Sequence, residues 1–109
     1  MTLTGDELVR VLAALSNPHR LRVIAALAGG PNYVSQLARD LEISRPLLQV
    51  HLKRLEAAGL IESEFRLSDD GKAMKFYSIR GFRIDLSPAT IGAAAASLTD
   101  VSEREGGET

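Results

Sequence analysis

Residues 42–67 read EISRPLLQVHLKRLEAAGLIESEFRL, and two different spacings meet inside this stretch. Leu48, Leu52 and Leu55 recur at i, i+4 and i+7, which is one face of a helix. Ser44 ahead of them is a capping residue, and Pro46 fits the first turn, where no N–H is needed. The helix is predicted from Ser44 to about Ala58, with Gly59 ending it. From Leu60 the period falls to two. Ile61, Ser63, Phe65 and Leu67 share one face and Glu62, Glu64 and Arg66 the other, which predicts a strand. Ser68-Asp69-Asp70-Gly71 is turn chemistry, and Met74 to Ile79 resumes as a second strand. The two strands read as an antiparallel hairpin.

Working outward, a short helix is predicted over about Tyr33 to Leu41, joined to the next by Glu42-Ile43-Ser44. A helix from Asn17-Pro18 to about Ala28 precedes it, with Leu21, Ile24 and Leu27 or Ala28 inward, and Gly29-Gly30-Pro31 ends it. Another runs from Asp6 to Ser16, its acidic start suited to the positive end of the helix dipole. Beyond the hairpin, Phe82 to Leu86 is extended and Ser87-Pro88 starts a last helix reaching Leu98. The order is helix-helix-helix-helix-strand-strand-helix, mainly α with a small antiparallel β-hairpin. A winged helix-turn-helix requires this order. Residues 1–101 are expected to form one domain and residues 102–109 a disordered acidic tail.

The chain has 109 residues, 13 of them Lys or Arg and 14 Asp or Glu, for a net charge of -1. The sum hides a division. Arg10 to Arg83 holds 12 basic and 7 acidic residues, while the rest holds 7 acidic residues against Arg104 alone. Steering of a polyanion responds to the local field of that basic middle more than to the sum. There is no cysteine, which excludes a disulfide scaffold, a thiolate metal site and cysteine catalysis. No apolar run approaches the ~20 residues of a membrane span, and no basic-then-apolar leader is read, so a cytoplasmic protein without membrane contact is expected. No nucleophile elbow, phosphate-binding glycine loop or metal-ligand cluster is present, and no enzymatic activity is expected.

The run Leu15 to Ile24, LSNPHRLRVI, resembles the opening of ArsR-type (arsenic-repressor-like) winged helix transcriptional regulators. The resemblance continues through Gln36-Leu37-Ala38, Ile43-Ser44-Arg45-Pro46 and HLKRLEAAGLI at His51 to Ile61, then Phe76-Tyr77-Ser78-Ile79 in the second strand. It covers about Leu12 to Ile79. The AGL ending is shared by several winged helix families, so the Asn-Pro-x-Arg-Leu element carries the distinction.

The resemblance implies a homodimeric, sequence-specific regulator that binds an inverted-repeat operator in double-stranded DNA and answers to an effector. The helix starting at Ser44 is then the recognition helix. Ser44, Arg45, Gln49, Lys53 and Arg54 are its expected DNA contacts: Arg45 suits guanine and Gln49 adenine, while Lys53 and Arg54 suit phosphates. Without the resemblance, four polar residues solvating an amphipathic helix would be the simpler reading. Arg66, Lys72 and Lys75 are expected to carry the wing contact, opposed by Asp69 and Asp70 at its tip. Leu47 and Val50 depart from the family's exposed polar residues. They meet either a thymine methyl or a neighbouring segment, and the second case allows an alternative, a winged helix that binds protein.

The family's dimer surface implies Leu8, Val11, Leu12 and Leu15 from the first helix with Ile91, Ala94, Ala95 and Leu98 from the last. The Cys-x-Cys metal site of some relatives is replaced by Tyr33-Val34-Ser35, and no histidine follows His51. No cofactor is required on this reading. A divalent-metal (nickel or zinc) regulator using His19 or His51 with carboxylates is the remaining alternative, although at their motif positions these side chains are more often cap or core residues.

Overall fold

A computed structural model describes residues 2–99. The expected tail at 102–109 lies outside them. The elements are α1 (Gly5–Leu15), α2 (Pro18–Ala28), β1 (Asn32–Tyr33), α3 (Val34–Leu41), α4 (Arg45–Ala57), β2 (Ile61–Leu67), β3 (Ala73–Ile79) and α5 (Pro88–Ala95).

The caps account for most boundaries. Ser44 Oγ accepts the Leu47 N–H at 3.2 Å at the head of α4, and Asn17 Oδ1 accepts the Arg20 N–H at 3.2 Å at the head of α2. Helix α1 starts one residue earlier than its acidic pair suggests, because Thr4 and Glu7 form a reciprocal capping box. Gly59 takes φ 77°, where glycine has no Cβ penalty, and the Gly59 and Leu60 N–H groups close onto Glu56 and Leu55 carbonyls. Helix α5 stops at Ala95 rather than Leu98. Its last turn tightens, the Ser97 and Leu98 N–H groups bonding Ala94 and Ala95 carbonyls.

The hairpin is a register of seven antiparallel pairs from Ile61↔Ile79 to Leu67↔Ala73. A third strand joins it. Asn32 and Tyr33 pair with Tyr77 and Phe76, giving the order β1-β3-β2. Two residues carry no readable period, which is why Tyr33 was expected to open a helix. It ends the strand and caps α3 without a side-chain bond.

The core is built from Val23, Leu37, Leu48, Leu52, Leu55, Leu60 and Ile61, each 1% exposed or less. Leu21 was expected in it and is 54% exposed. Helix α2 turns Val23 and Leu27 inward, on the face that carries Arg20, whose side chain reaches α1 and α4. Burial fades along β2, from Ile61 at 1% to Phe65 at 72% and Leu67 at 77%. The far half of the hairpin therefore has alternation but no core beneath it.

Candidate nucleic-acid interface

Helix α4 separates its two faces. Leu48, His51, Leu52 and Leu55 are buried, and Arg45, Pro46, Leu47, Gln49, Val50, Lys53 and Arg54 are exposed. At about 100° per residue, Val50, Pro46 and Lys53 lie near the centre of the exposed face. Arg45 and Gln49 flank one side, Leu47 and Arg54 the other. Leu47 at 40% and Val50 at 53% exposure are not packed away under a neighbouring segment of this chain.

A cleft of about 300 Å³ opens where α4 begins, lined by Tyr33, Val34 and Ser35 of the β1–α3 junction, Arg45 and Gln49 of α4, and Met74 and Lys75 of β3. The structure thus brings together three of the residues singled out for DNA: Arg45, Gln49 and Lys75. Lys53 and Arg54 stand further along the same helix. Ser44 is exposed, and its hydroxyl already serves the helix cap.

The wing is less available than its sequence suggests. Arg66 donates from Nε and Nη2 to Glu64 Oε1 at 3.0 and 2.8 Å, and its guanidinium lies 4.8 Å from the Phe76 ring centroid. Both are strand neighbours on the face opposite Phe65. Lys75 Nζ lies 5.4 Å from the Tyr77 ring centroid. Lys72 sits at the tip beside Asp70, whose carboxylate bonds the Ser68 hydroxyl and the Lys72 N–H. The Ser68 bond, then the Lys72 N–H, holds the Asp70 pKa below the usual carboxylate value, so the tip keeps its negative charge into mild acid.

At the opposite end, α1 and α5 touch closely. A Cβ on Gly5 would come within 2.6 Å of Leu98 Cγ, and the Gly5 N–H donates to Ser97 Oγ at 2.8 Å. Asp6 accepts the Thr99 N–H at 3.1 Å. Of the residues expected on a dimer surface, Leu12, Ile91, Ala95 and Leu98 are exposed, and Leu8 and Leu15 are half-buried. Val11 at 4% and Ala94 at 9% are buried within the chain.

His19 and His51 lie together, their ring centroids 5.3 Å apart. Among the described residues no group of three or more His, Cys, Asp or Glu side chains is placed to hold a metal ion. His51 Nδ1 faces the Arg20 guanidinium at 3.2 Å. No helix among the described residues is long and apolar enough to cross a membrane.

Residues 17–63 match the family described as bacterial regulatory protein, arsR family. The chain is 36% identical over 77 residues to the HTH-type transcriptional regulator MJ0229 of Methanocaldococcus jannaschii, covering 71% of this chain and 80% of that one. It is 44% identical over 52 residues to the HTH-type transcriptional regulator Rv2034 of Mycobacterium tuberculosis, covering 48% and 49% of the two chains. In structure it resembles the homodimeric winged helix-turn-helix DNA-binding domain Mb0332 of Mycobacterium bovis. The TM-score is 0.61 at 25% identity, covering 84% of this chain and 74% of that one.

Proposed function

Because the chain belongs to the arsR family of regulatory proteins and is a winged helix-turn-helix transcriptional regulator, we propose that it binds an inverted-repeat DNA operator as a homodimer, α4 in the major groove. The observation that carries this is the open cleft at the start of α4, which gathers Arg45, Gln49 and Lys75. Residues near a recognition helix's N-terminus reach base edges, Arg bidentately to guanine and Gln to adenine. Val50, central on the exposed face, meets a thymine methyl, while Lys53 and Arg54 take phosphates and add affinity without sequence information. Dimerisation uses the exposed apolar side chains Leu12, Ile91 and Leu98, and two-fold symmetry sets half-sites about one turn of DNA apart.

Selection of bound fragments from a random DNA pool tests this. The expected result is an inverted repeat whose affinity falls with salt. Retention of no sequence, or binding that ignores salt, overturns it.

The exposure of Leu47 and Val50 also favours a second reading, in which this face docks a protein. Leu47→Asp separates the two. Loss of a protein partner with undiminished DNA affinity supports docking, and loss of DNA affinity supports base contact.

We further propose that an effector acts through the cavity of about 430 Å³ between the N-terminal segment, α1 and α5. Leu3, Leu8 and Ile84 line it with Arg83 and Asp85, one charge of each sign, which suits a small amphipathic zwitterion. Small zwitterions with apolar tails are expected to release the operator complex. Release by none of them overturns this part alone.

A further inference from the structure

Arg20 lies where three helices meet. Its Nε donates to the Ala14 carbonyl at 2.5 Å and its Nη2 to the Ala13 carbonyl at 3.4 Å, both in the last turn of α1. Its Nη1 lies 3.2 Å from Nδ1 of His51, in the middle of α4. A guanidinium has donors only, so Nδ1 is the acceptor and the proton of the neutral ring belongs to Nε2. His51 is 5% exposed, and its Nε2 has no partner among the described residues. The His19 ring sits 5.3 Å away, centroid to centroid, tilted by 32°. Buried polar atoms are normally satisfied. A leucine or phenylalanine would fill this place with no orphaned nitrogen, so packing alone does not account for a histidine here.

We propose that Arg20 and His51 are a positioning pair: they lock α4 to the end of α1, and a second proton on His51 opens the lock. The proposal rests on the reading of α4 as the DNA-contacting helix. An imidazolium carries donors on both nitrogens, so Nδ1–H would face a guanidinium N–H, charge against charge. The contact is relieved only by moving α4 against α1 and α2, and Arg45, Gln49, Val50 and Lys53 move with it. In the other direction, a displacement of α1 reaches α4 through the same guanidinium.

The groups around His51 favour its neutral form. Burial comes first, then Arg20 and the His19 ring on α2 and Arg54 on α4, and together they hold its pKa below the usual histidine value. Arg22 of α2 is exposed. Helix α1 meets the cluster through carbonyls, its Asp6, Glu7 and Arg10 lying in the first two turns at the far end. On α3, Arg39 and Asp40 are exposed and bond Gln36. On β2, Glu62, Glu64 and Arg66 are exposed, and the last two pair with each other. On α4 itself Glu56 accepts from Ser63, and Arg45 and Lys53 are exposed. No carboxylate bonds His51 among the described residues. The unfolded chain takes up the proton first as pH falls. The lock's contribution is therefore complete above the ordinary histidine range and is lost as pH drops through the lowered value.

The test is operator affinity of the full chain by fluorescence anisotropy from about pH 7.5 to about pH 5, on the fragment selected above. Wild type is expected to lose about tenfold over this range. His51→Asn keeps an acceptor near the position of Nδ1 but does not titrate. It retains the neutral-pH affinity and flattens the profile. His51→Phe keeps the packing without the acceptor, and weakens binding several-fold at every pH with no fall in the urea midpoint. Equal slopes for wild type and His51→Asn, or wild-type affinity in His51→Phe, overturn the proposal. If the wild type binds no DNA at neutral pH, the reading of α4 has failed, but the lock is still testable. Amide exchange in α4, corrected for its intrinsic pH dependence, then accelerates in acid for wild type and not for His51→Asn. Equal acceleration in both overturns it.

Discussion

Helix α4 and the β2–β3 hairpin both carry cations that sequence alone assigns to phosphate, and the structure treats them differently. On α4 the helical spacing divides buried leucines from exposed Arg45, Lys53 and Arg54. The carboxylate of that helix, Glu56, is occupied by the Ser63 hydroxyl at 2.9 Å. On β2 a spacing of two puts Glu64 and Arg66 on the same face, and they pair at 2.8 Å. At the tip, Lys72 sits beside an Asp70 that holds its charge into mild acid. Basic residues therefore count as DNA contacts only after what their own element pairs them with has been subtracted. By that measure the proposed DNA contact rests first on α4 and only second on the wing.

The difference in burial gives the largest expected effect. Leu52→Ala, at a position 0% exposed, is expected to cost ~2–5 kcal/mol in urea unfolding. Leu67→Ala, at 77% exposure, should stay within ~0.5 kcal/mol. Comparable losses would mean that the hairpin's far half has a packing partner that this chain alone does not supply. Next in size is Arg45→Ala. Its DNA affinity should fall by ~1–3 kcal/mol, with relaxed preference at one base position, as read by repeating the selection with the variant. A uniform loss across all sequences would move Arg45 from base edge to phosphate.

The same contrast explains what was legible in the sequence. Helix α4, its serine cap, its glycine stop and the change of period at Leu60 were all readable, because each is a local rule with a local cause. The two-residue strand at Asn32 and Tyr33 was not, since its cause is the distant edge of β3. A hydrophobic pattern puts Leu21 inward because such a pattern weighs only apolar side chains. The inward face of α2 is set as much by Arg20, which a hydrophobic pattern treats as surface. The role of Arg20 did carry a sequence signal in the Asn-Pro-x-Arg-Leu element, but the spacing does not say that its partners are two α1 carbonyls and a buried histidine. Nor does alternation reveal that Phe65 and Leu67 face solvent, because alternation specifies sides and not what covers them.

Phosphate contacts give smaller effects, and they rank the two regions directly. Lys53→Ala should weaken all sequences alike and lower the slope of log affinity against log salt by about 1. Lys72→Ala should lower it by less, because the adjacent Asp70 repels the phosphate that Lys72 would attract. An equal drop would restore the wing to full standing. Smallest of all is Glu64→Gln. The amide keeps an oxygen that can accept from Arg66 but removes the charge, so the guanidinium becomes available while its place over Phe76 is kept. An exposed ion pair holds its partners by ~0–1 kcal/mol, so the expected gain in DNA affinity is only about two- to threefold, with a steeper salt slope and no change in base preference. A loss of affinity would show that Glu64 was holding Arg66 in position for the phosphate rather than away from it. In that case the pairing seen in the hairpin is preorganisation, and the wing contributes as α4 does.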